Sequence, residues 1–170
     1  MTTVPASRRI ARGLLFSSVF AAGLYIALPT PSYAFDYASS APVNLHQGEI
    51  AIKGYDPVAY FTDNAAIEGS SEFTATHDGA TYQFASAANR DAFAADPARY
   101  APAYGGFCAF GTSYGQKVDI DPQAFSIVDD TLYLNVNLNV RDRWAADLAN
   151  KLRDADAYWP QIKDVAPNDL

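Results

Sequence analysis

Two turn sequences, Asp78-Gly79 and Asp129-Asp130, each separate a pair of β-type runs, and they constrain the fold more than any other feature. Asp-Gly is typical of a type I′ turn, which needs a positive φ at both central residues. The flanking runs are 73–77 and 80–85 for the first turn, and 125–128 and 131–136 for the second. In the first run apolar and polar residues alternate, as they do in a strand with one buried face. The sequence therefore predicts two β-hairpins.

Helical patterns follow each hairpin. Ser86 can accept a hydrogen bond at the start of a helix over 87–95, which Pro97 should end. Asn139 can cap a second helix, on which apolar residues recur at every fourth position. Those residues are Val140, Trp144, Leu148 and Leu152. This second helix is predicted to be continuous and to end before Pro160.

Two more short strands are predicted ahead of the first hairpin, at 49–53 and 57–61. Hairpins pair their strands antiparallel, and the helices must cover an apolar face of the resulting sheet. The predicted fold class is therefore α+β, with a small antiparallel sheet built from hairpins and helices packed on one face. A glycine-rich stretch at 100–115 joins the first helix to the second hairpin.

The first 34 residues have the pattern of a secretory signal peptide. Three arginines and no acidic residue come first, then fifteen uncharged residues at 14–28, and the segment ends in Ser-Tyr-Ala. The apolar run is shorter than the ~20 residues of a transmembrane helix, and an uncleaved N-terminal anchor is the alternative. Cleavage near Ala34 predicts a periplasmic or secreted protein, exported by either the Sec or the twin-arginine route. The rest divides into a flexible lead-in at 35–48, a domain at 49–162 and a C-terminal tail at 163–170.

The charge balance excludes one class of function. Removing 34 residues leaves 9 of the 12 basic residues and all 19 acidic ones, so the net charge changes from −7 to −10. Nucleic-acid binding would need a clustered basic face, so no nucleic-acid partner is expected. We also expect no membrane association of the mature chain, and the sequence leaves the oligomeric state open.

The chain has a single cysteine, Cys108, which excludes an internal disulfide and a cysteine-rich zinc site. An unpaired thiol in an oxidising compartment calls for an explanation. A free cysteine is commonly a small buried hydrophobe, which is one explanation. However, Gly105 and Gly106 would let a ligand approach the backbone closely, and a helix beginning near Phe107 would favour the thiolate. Three roles for Cys108 therefore stay open: metal ligand, nucleophile and packing residue.

Several motifs taken together resemble the YHS domain family, and more narrowly its small secreted bacterial members, the YHS domain-containing (seleno)proteins. The motifs are Gly54-Tyr-Asp-Pro-Val-Ala-Tyr-Phe61, Tyr82-Gln-Phe-Ala-Ser-Ala-Ala-Asn-Arg90, Phe93-Ala-Ala-Asp-Pro97 with Tyr100, and Tyr104-Gly-Gly-Phe-Cys-Ala109. The resemblance covers 49–162. It implies metal binding by thiolates, because many YHS domains carry cysteines that bind a soft metal. Those positions are Ala59, Ala85 and Asn89 here, so that site is absent, and Cys108 is the thiol that remains.

The leading hypothesis is a non-enzymatic periplasmic protein that binds a metal ion, with copper as the expected metal, in trafficking or tolerance. Cys108 would be the principal ligand, assisted by His77 or His46, because such a two- or three-coordinate soft site suits Cu(I). Both histidines are expected to face solvent, His77 at the hairpin tip and His46 on a mobile arm that could reach a metal.

Two alternatives stay open. In the first, Cys108 is a one-cysteine redox nucleophile, which would require a partner protein with a thiol. Some relatives carry selenocysteine at the corresponding position, which the resemblance implies and which would favour such chemistry. In the second, the chain binds a small ligand or a partner, and Cys108 is structural. An enzyme is the less favoured hypothesis, because neither histidine lies in the context of a catalytic triad.

Overall fold

The structure is a computed structural model, and it describes residues 1–2 and 35–170. The signal-peptide prediction falls on residues that, after the first two, lie outside this range, so it stays a prediction. Within the described range, no helix has the length and apolar character needed to cross a bilayer.

The first predicted hairpin lies in a four-stranded sheet. Its strands are β1 (Leu45–His46), β2 (Ile50–Ala51), β3 (Ser70–His77) and β4 (Ala80–Phe84), in the order β1-β2-β4-β3. β3 and β4 pair antiparallel across a turn in which Asp78 has φ 48° and Gly79 has φ 75°, as a type I′ turn requires. β2 is antiparallel to β1 and parallel to β4.

The second predicted hairpin forms a separate two-stranded sheet. It consists of β5 (Asp121–Val128) and β6 (Thr131–Asn135), which pair antiparallel. The turn between them again has two left-handed residues, Asp129 with φ 48° and Asp130 with φ 60°. Both hairpin predictions are confirmed, and so is the α+β class.

Among the described residues, six α-helices lie between or after these strands. They are α1 (Ala59–Thr62), α2 (Ala87–Ala95), α3 (Pro97–Tyr100), α4 (Ala109–Thr112), α5 (Leu138–Ala146) and α6 (Leu148–Ile162). α2 has the predicted bounds, and the hydroxyl of Ser86 accepts a hydrogen bond from the Asn89 N–H at 3.1 Å. Asn137, two residues earlier than predicted, caps α5 by accepting from the Val140 N–H.

The predicted single C-terminal helix is wrong. The helical conformation is interrupted at Asp147, which has φ −131° and ψ 39°, and this residue separates α5 from α6. The break lets α5 bury Trp144 while α6 buries Ala155 and Ile162. Pro160 lies inside α6 rather than beyond it, because packing of this last turn outweighs the hydrogen bond that a proline removes.

The predicted strand at 57–61 is also wrong, and Asp56 explains why. Its carboxylate accepts hydrogen bonds from the backbone N–H groups of Val58 at 2.8 Å and Ala59 at 3.3 Å. Such a side-chain-to-backbone turn competes with an extended strand and leads the chain into α1. The other Asp56 oxygen accepts from the Ala85 N–H and the Asn89 amide, so this buried carboxylate joins α1 to the start of α2.

Parts of both ends of the described segment 35–170 are packed against the domain. In the expected flexible lead-in, Val43, Asn44 and His46 are buried, and the Asn44 N–H donates to the Gly105 carbonyl at 2.8 Å. The buried Lys117 ammonium donates to three backbone carbonyls, those of Ala41, Lys163 and Val165, at 2.9–3.0 Å. A charged donor with three acceptors thus ties the lead-in to the C-terminal tail.

Candidate functional site

His46 occupies the end of β1, where it pairs with Ile50 of β2. Its side chain is 1% exposed, so the expectation of a solvent-facing histidine on a mobile arm is wrong. The cause is the packing of the lead-in against Gly105, which carries β1 into the body of the domain.

A carboxylate and an ammonium lie beside this histidine. His46 Nε2 is 3.3 Å from Oδ1 of Asp119, and the other Asp119 oxygen accepts from the Lys53 ammonium at 2.7 Å. Asn44 also donates to Asp119 Oδ1 at 3.3 Å. Burial alone would raise the pKa of Asp119, but the neighbouring His46 and Lys53 outweigh it and hold that pKa well below its usual range. Asp119 is therefore a carboxylate with one oxygen fixed by Lys53 and the other facing His46.

Both ring nitrogens of His46 lack a hydrogen-bond partner among the described residues. The 3.3 Å contact to Asp119 is close enough for attraction, but the ring N–H is not aligned with the oxygen. A buried polar group without a partner costs about 1–3 kcal/mol, and native proteins keep few of them. The Asn44 oxygen, the Asn135 amide nitrogen and the Trp144 indole nitrogen also lack a partner among the described residues, and His46 differs from them in lining a cavity.

A cavity of about 80 Å³ adjoins the unpartnered imidazole. It is lined by His46, Gln47, Ile50, Lys53, Gly54 and Gln83. A water molecule occupies roughly 30 Å³ in the liquid, so this cavity has room for an ion with a water, or for two waters. The imidazole of His46, the ammonium of Lys53 and the side-chain amides of Gln47 and Gln83 thus line this space. Asp119 is not among the lining residues and adjoins the site through its contact with His46.

Cys108 lies in a different environment. It is 1% exposed and belongs to the main apolar core cluster, with its backbone bridged to Leu134 of β6. The thiol lies 3.6 Å from the Asn135 side-chain oxygen, to which it can donate, and it accepts from the Gly111 N–H at 3.5 Å. Burial raises the pKa of the Cys108 thiol, and backbone N–H groups including that of Gly111 offset only part of this. The protonated thiol is favoured, whereas a metal ligand or nucleophile must be the thiolate.

His77 is the last residue of β3, and its side chain is 27% exposed. Its Nε2 lies 3.3 Å from Asp78, and its ring meets Phe93 edge-on at 6.0 Å between centroids. The histidine therefore covers part of the core beside the turn rather than projecting freely into solvent.

The structure does not bring Cys108, His77 and His46 together. Within residues 1–2 and 35–170, no group of three or more His, Cys, Asp or Glu side chains is arranged to hold a metal ion. Of the three predicted ligands, His46 is the one that fits a metal, since its imidazole is unpartnered and lies 3.3 Å from Asp119, which was not predicted as a ligand. The buried, protonated thiol of Cys108 fits one poorly.

Sequence reasoning finds His46 but not its neighbours. Asp119 is 66 residues from Lys53 and 75 from Asn44 along the chain, so no local spacing rule could connect them. The contact depends on how the lead-in packs, and no short motif carries that information.

Comparison with known proteins gives one family. The model of the YHS domain matches residues 58–104, which confirms the resemblance over that range. This family is generally linked to metal binding. The matched range includes His77, whereas His46, Cys108 and Asp119 lie outside it. No curated protein and no solved structure matches the chain.

Proposed function

We propose that this chain is an exported metal-binding protein that carries copper, and that His46 supplies the first ligand and Asp119 the second. The observation that carries the proposal is the buried imidazole of His46, whose two nitrogens have no partner among the described residues and which lines a cavity beside a carboxylate. The YHS match supports metal binding in general, and the signal-peptide pattern supports export to the periplasm.

The donor set favours copper over most other ions. Imidazole nitrogen with carboxylate oxygen is a common ligand pair for Cu(II), and a given site of this type binds Cu(II) more tightly than the other first-row divalent ions. Lys53 donates to one oxygen of Asp119, and Asn44 donates to the other, Oδ1, which lies 3.3 Å from His46 Nε2. Outer partners of this kind fix the direction of a ligand.

Two protein ligands leave coordination positions for water or for a partner protein. A structural site would use a closed set of protein ligands, as zinc sites with four do. An open site instead suits a protein that receives an ion and gives it away, so copper is cargo here, in trafficking or tolerance. The proposal also includes membership of the secreted (seleno)protein branch, with an exported chain that begins at Phe35.

The proposal assigns Cys108 to packing. Its hydrogen bonds, its place in the apolar core and its raised pKa all favour this role over those of ligand and redox nucleophile. No contact within the described residues specifically favours the redox alternative.

The test is a competition titration of the purified protein with Cu(II), and with Cu(I) under reducing conditions, against a coloured chelator. We expect His46→Gln to weaken copper binding at least about 100-fold, because even the loss of a ligand's outer partner commonly costs 10- to 100-fold. Asp119→Asn should weaken it by a smaller factor. His77→Gln is the matched control, since it changes the other histidine, and it should leave the affinity unchanged.

The outcomes separate the roles of the two buried residues. Unchanged affinity in both His46→Gln and Asp119→Asn would overturn the site, and no copper uptake by the wild-type protein would overturn the function. If Cys108→Ala lost copper binding while His46→Gln kept it in full, the copper ligand would be the Cys108 thiol and not His46. A circular dichroism melt of each variant establishes that the compared proteins are folded.

A further inference from the structure

A second and larger concave site lies away from His46. It is a groove of about 570 Å³ between the turn of the first hairpin and the last turns of α6. Asp78 and Tyr82 line it on the hairpin side, and Tyr104, Trp159 and Lys163 line it elsewhere. Pockets for small organic molecules usually measure roughly 300–1,000 Å³, so this groove has the capacity that the 80 Å³ cavity beside His46 lacks.

One wall of the groove is held in a strained but well-supported conformation. Tyr104 has φ 52°, in the left-handed region that non-glycine residues rarely adopt. Its hydroxyl lies 2.9 Å from a carboxylate oxygen of Asp156, and its ring packs 6.0 Å from Trp159 and 5.9 Å from Tyr133. Strain of this kind persists where surrounding contacts enforce it, and it is common at ligand sites. The aromatic wall is therefore in place before any ligand arrives.

The opposite end of the groove is polar and negative. The ring of Tyr82 is buried and packs 4.7 Å from Phe93. Burial raises the pKa of Tyr82, and the carboxylate of Asp78 raises it further. Both residues line the groove. The Asp78 side chain is 72% exposed and lies 3.3 Å from His77 Nε2. A phenol and an accessible carboxylate thus share one end.

The charges around the groove select the sign of a ligand. Lys163 is the cationic side chain among the lining residues, and its ammonium is already paired with Asp164. Asp78 lies 3.3 Å from His77, but its side chain is 72% exposed, so a ligand can still reach its carboxylate. Aromatic rings such as those of Tyr104 and Trp159 attract cations through their π systems. An anionic ligand would meet the Asp78 carboxylate directly and would be repelled.

We propose that this groove binds a small organic amine, with its ammonium at Asp78 and Tyr82 and its apolar or aromatic body against Tyr104 and Trp159. Asp78 and Tyr82 line one side of the groove and Tyr104 and Trp159 line another, so a ligand that contacts both sides has both a polar and an apolar part. This site is separate from the copper site and does not depend on it.

The probe is phenethylamine, which is a cation at neutral pH. Two compounds of similar shape are the control ligands: 2-phenylethanol, which is neutral, and phenylacetate, which is an anion. Binding is followed by tryptophan fluorescence of the purified protein. Trp144 is fully buried, so the fluorescence response should come from Trp159. The response should therefore disappear in Trp159→Phe. In that variant, binding is measured by changes in NMR chemical shifts instead. We expect the amine to bind about two- to fivefold more tightly than the alcohol, and the carboxylate to bind most weakly of the three.

Two matched variants test the role of the carboxylate. Asp78→Asn should weaken amine binding about two- to fivefold, the range expected for an ion pair with an exposed carboxylate. Asp129→Asn changes the equivalent turn residue of the other hairpin, also at φ 48°, and should have no effect. Asparagine tolerates the left-handed region, so both variants should fold.

Three results would overturn the proposal: no binding of phenethylamine at millimolar concentration, equal affinity for amine and alcohol, or an unchanged affinity in Asp78→Asn. His46→Gln should retain amine binding, and Asp78→Asn should retain copper binding. Failure of one site is thereby distinguished from failure of the other.

Discussion

Cys108 and His46 are each 1% exposed, yet their surroundings differ in the respect that matters for function. The thiol of Cys108 has hydrogen-bond partners on both sides, from Gly111 and to Asn135, and packs in the main apolar cluster. The imidazole of His46 has none among the described residues and borders a cavity. Equal burial therefore accompanies a satisfied residue at one position and an unsatisfied residue at the other.

The difference teaches which buried group can take a ligand. A group whose hydrogen bonds are complete must break them to bind anything, and a buried thiol must also lose its proton. A buried group without partners has no hydrogen bond to break, so a ligand that reaches it gains the whole interaction. Chemical softness favours the cysteine as a ligand, whereas the local structure favours the histidine.

The largest expected effect is on thiol chemistry. We expect Cys108 in the folded protein to react with a thiol-specific disulfide reagent at least about 10³-fold more slowly than in denaturant, because reaction requires local opening of the core. The raised pKa of the thiol slows the reaction further by lowering the thiolate fraction. Absorbance of the released chromophore, with and without denaturant, measures both rates. A folded-state rate close to the unfolded one would make Cys108 accessible and would revive the redox alternative.

Much of the fold was predictable because its signals are local. Asp78-Gly79 specifies its turn through backbone conformation, and Ser86 specifies the start of α2 through one hydrogen bond to Asn89. The failures occur where a side chain acts locally in an unexpected way or where distant packing decides. Asp56 bends the chain into α1, and the packing of Trp144 and Ile162 divides one predicted helix into two.

The candidate site was predictable only in its residue type. The scarcity of histidine and cysteine draws attention to His46 and Cys108, but burial and hydrogen bonding decide between them. Those depend on contacts between distant segments, such as the approach of Pro42 and Asn44 to Gly105. The family match cannot supply them either, since it covers 58–104 and both residues lie outside it.

The second largest expected effect is on the free energy of unfolding, and it concerns the segment that carries His46. A Cβ on Gly105 would lie 1.9 Å from the Pro42 carbonyl oxygen, and Gly105 also has φ 59°. We expect Gly105→Ala to lower the free energy of unfolding by at least about 3 kcal/mol, because backbone must move to relieve the clash. Gly79→Ala is the matched control, with φ 75° and no atom within 4 Å of the added Cβ, and it should cost about 1–2 kcal/mol through the left-handed conformation alone.

Urea unfolding of both glycine variants measures the difference. If Gly105→Ala folds, displacement of the lead-in should also weaken copper binding while the thiol of Cys108 stays unreactive. Equal losses of stability in the two variants would mean that the lead-in is not held against Gly105, and that the burial of His46 has another cause.

The smallest effect tests the comparison most directly, because it concerns the stability of the metal-free protein. Cys108→Ala should lower the free energy of unfolding by about 1–2 kcal/mol, since it removes a packed sulfur and leaves the Gly111 N–H without its acceptor. His46→Leu should leave it within about 1 kcal/mol of wild type or raise it, because the two unpartnered nitrogens that it removes offset the lost ring contacts. Added copper at 100 times its dissociation constant should then stabilise wild type by about 2.7 kcal/mol and His46→Leu not at all. A larger loss in His46→Leu than in Cys108→Ala would make the histidine a structural residue, and the copper site would lose the observation on which it rests.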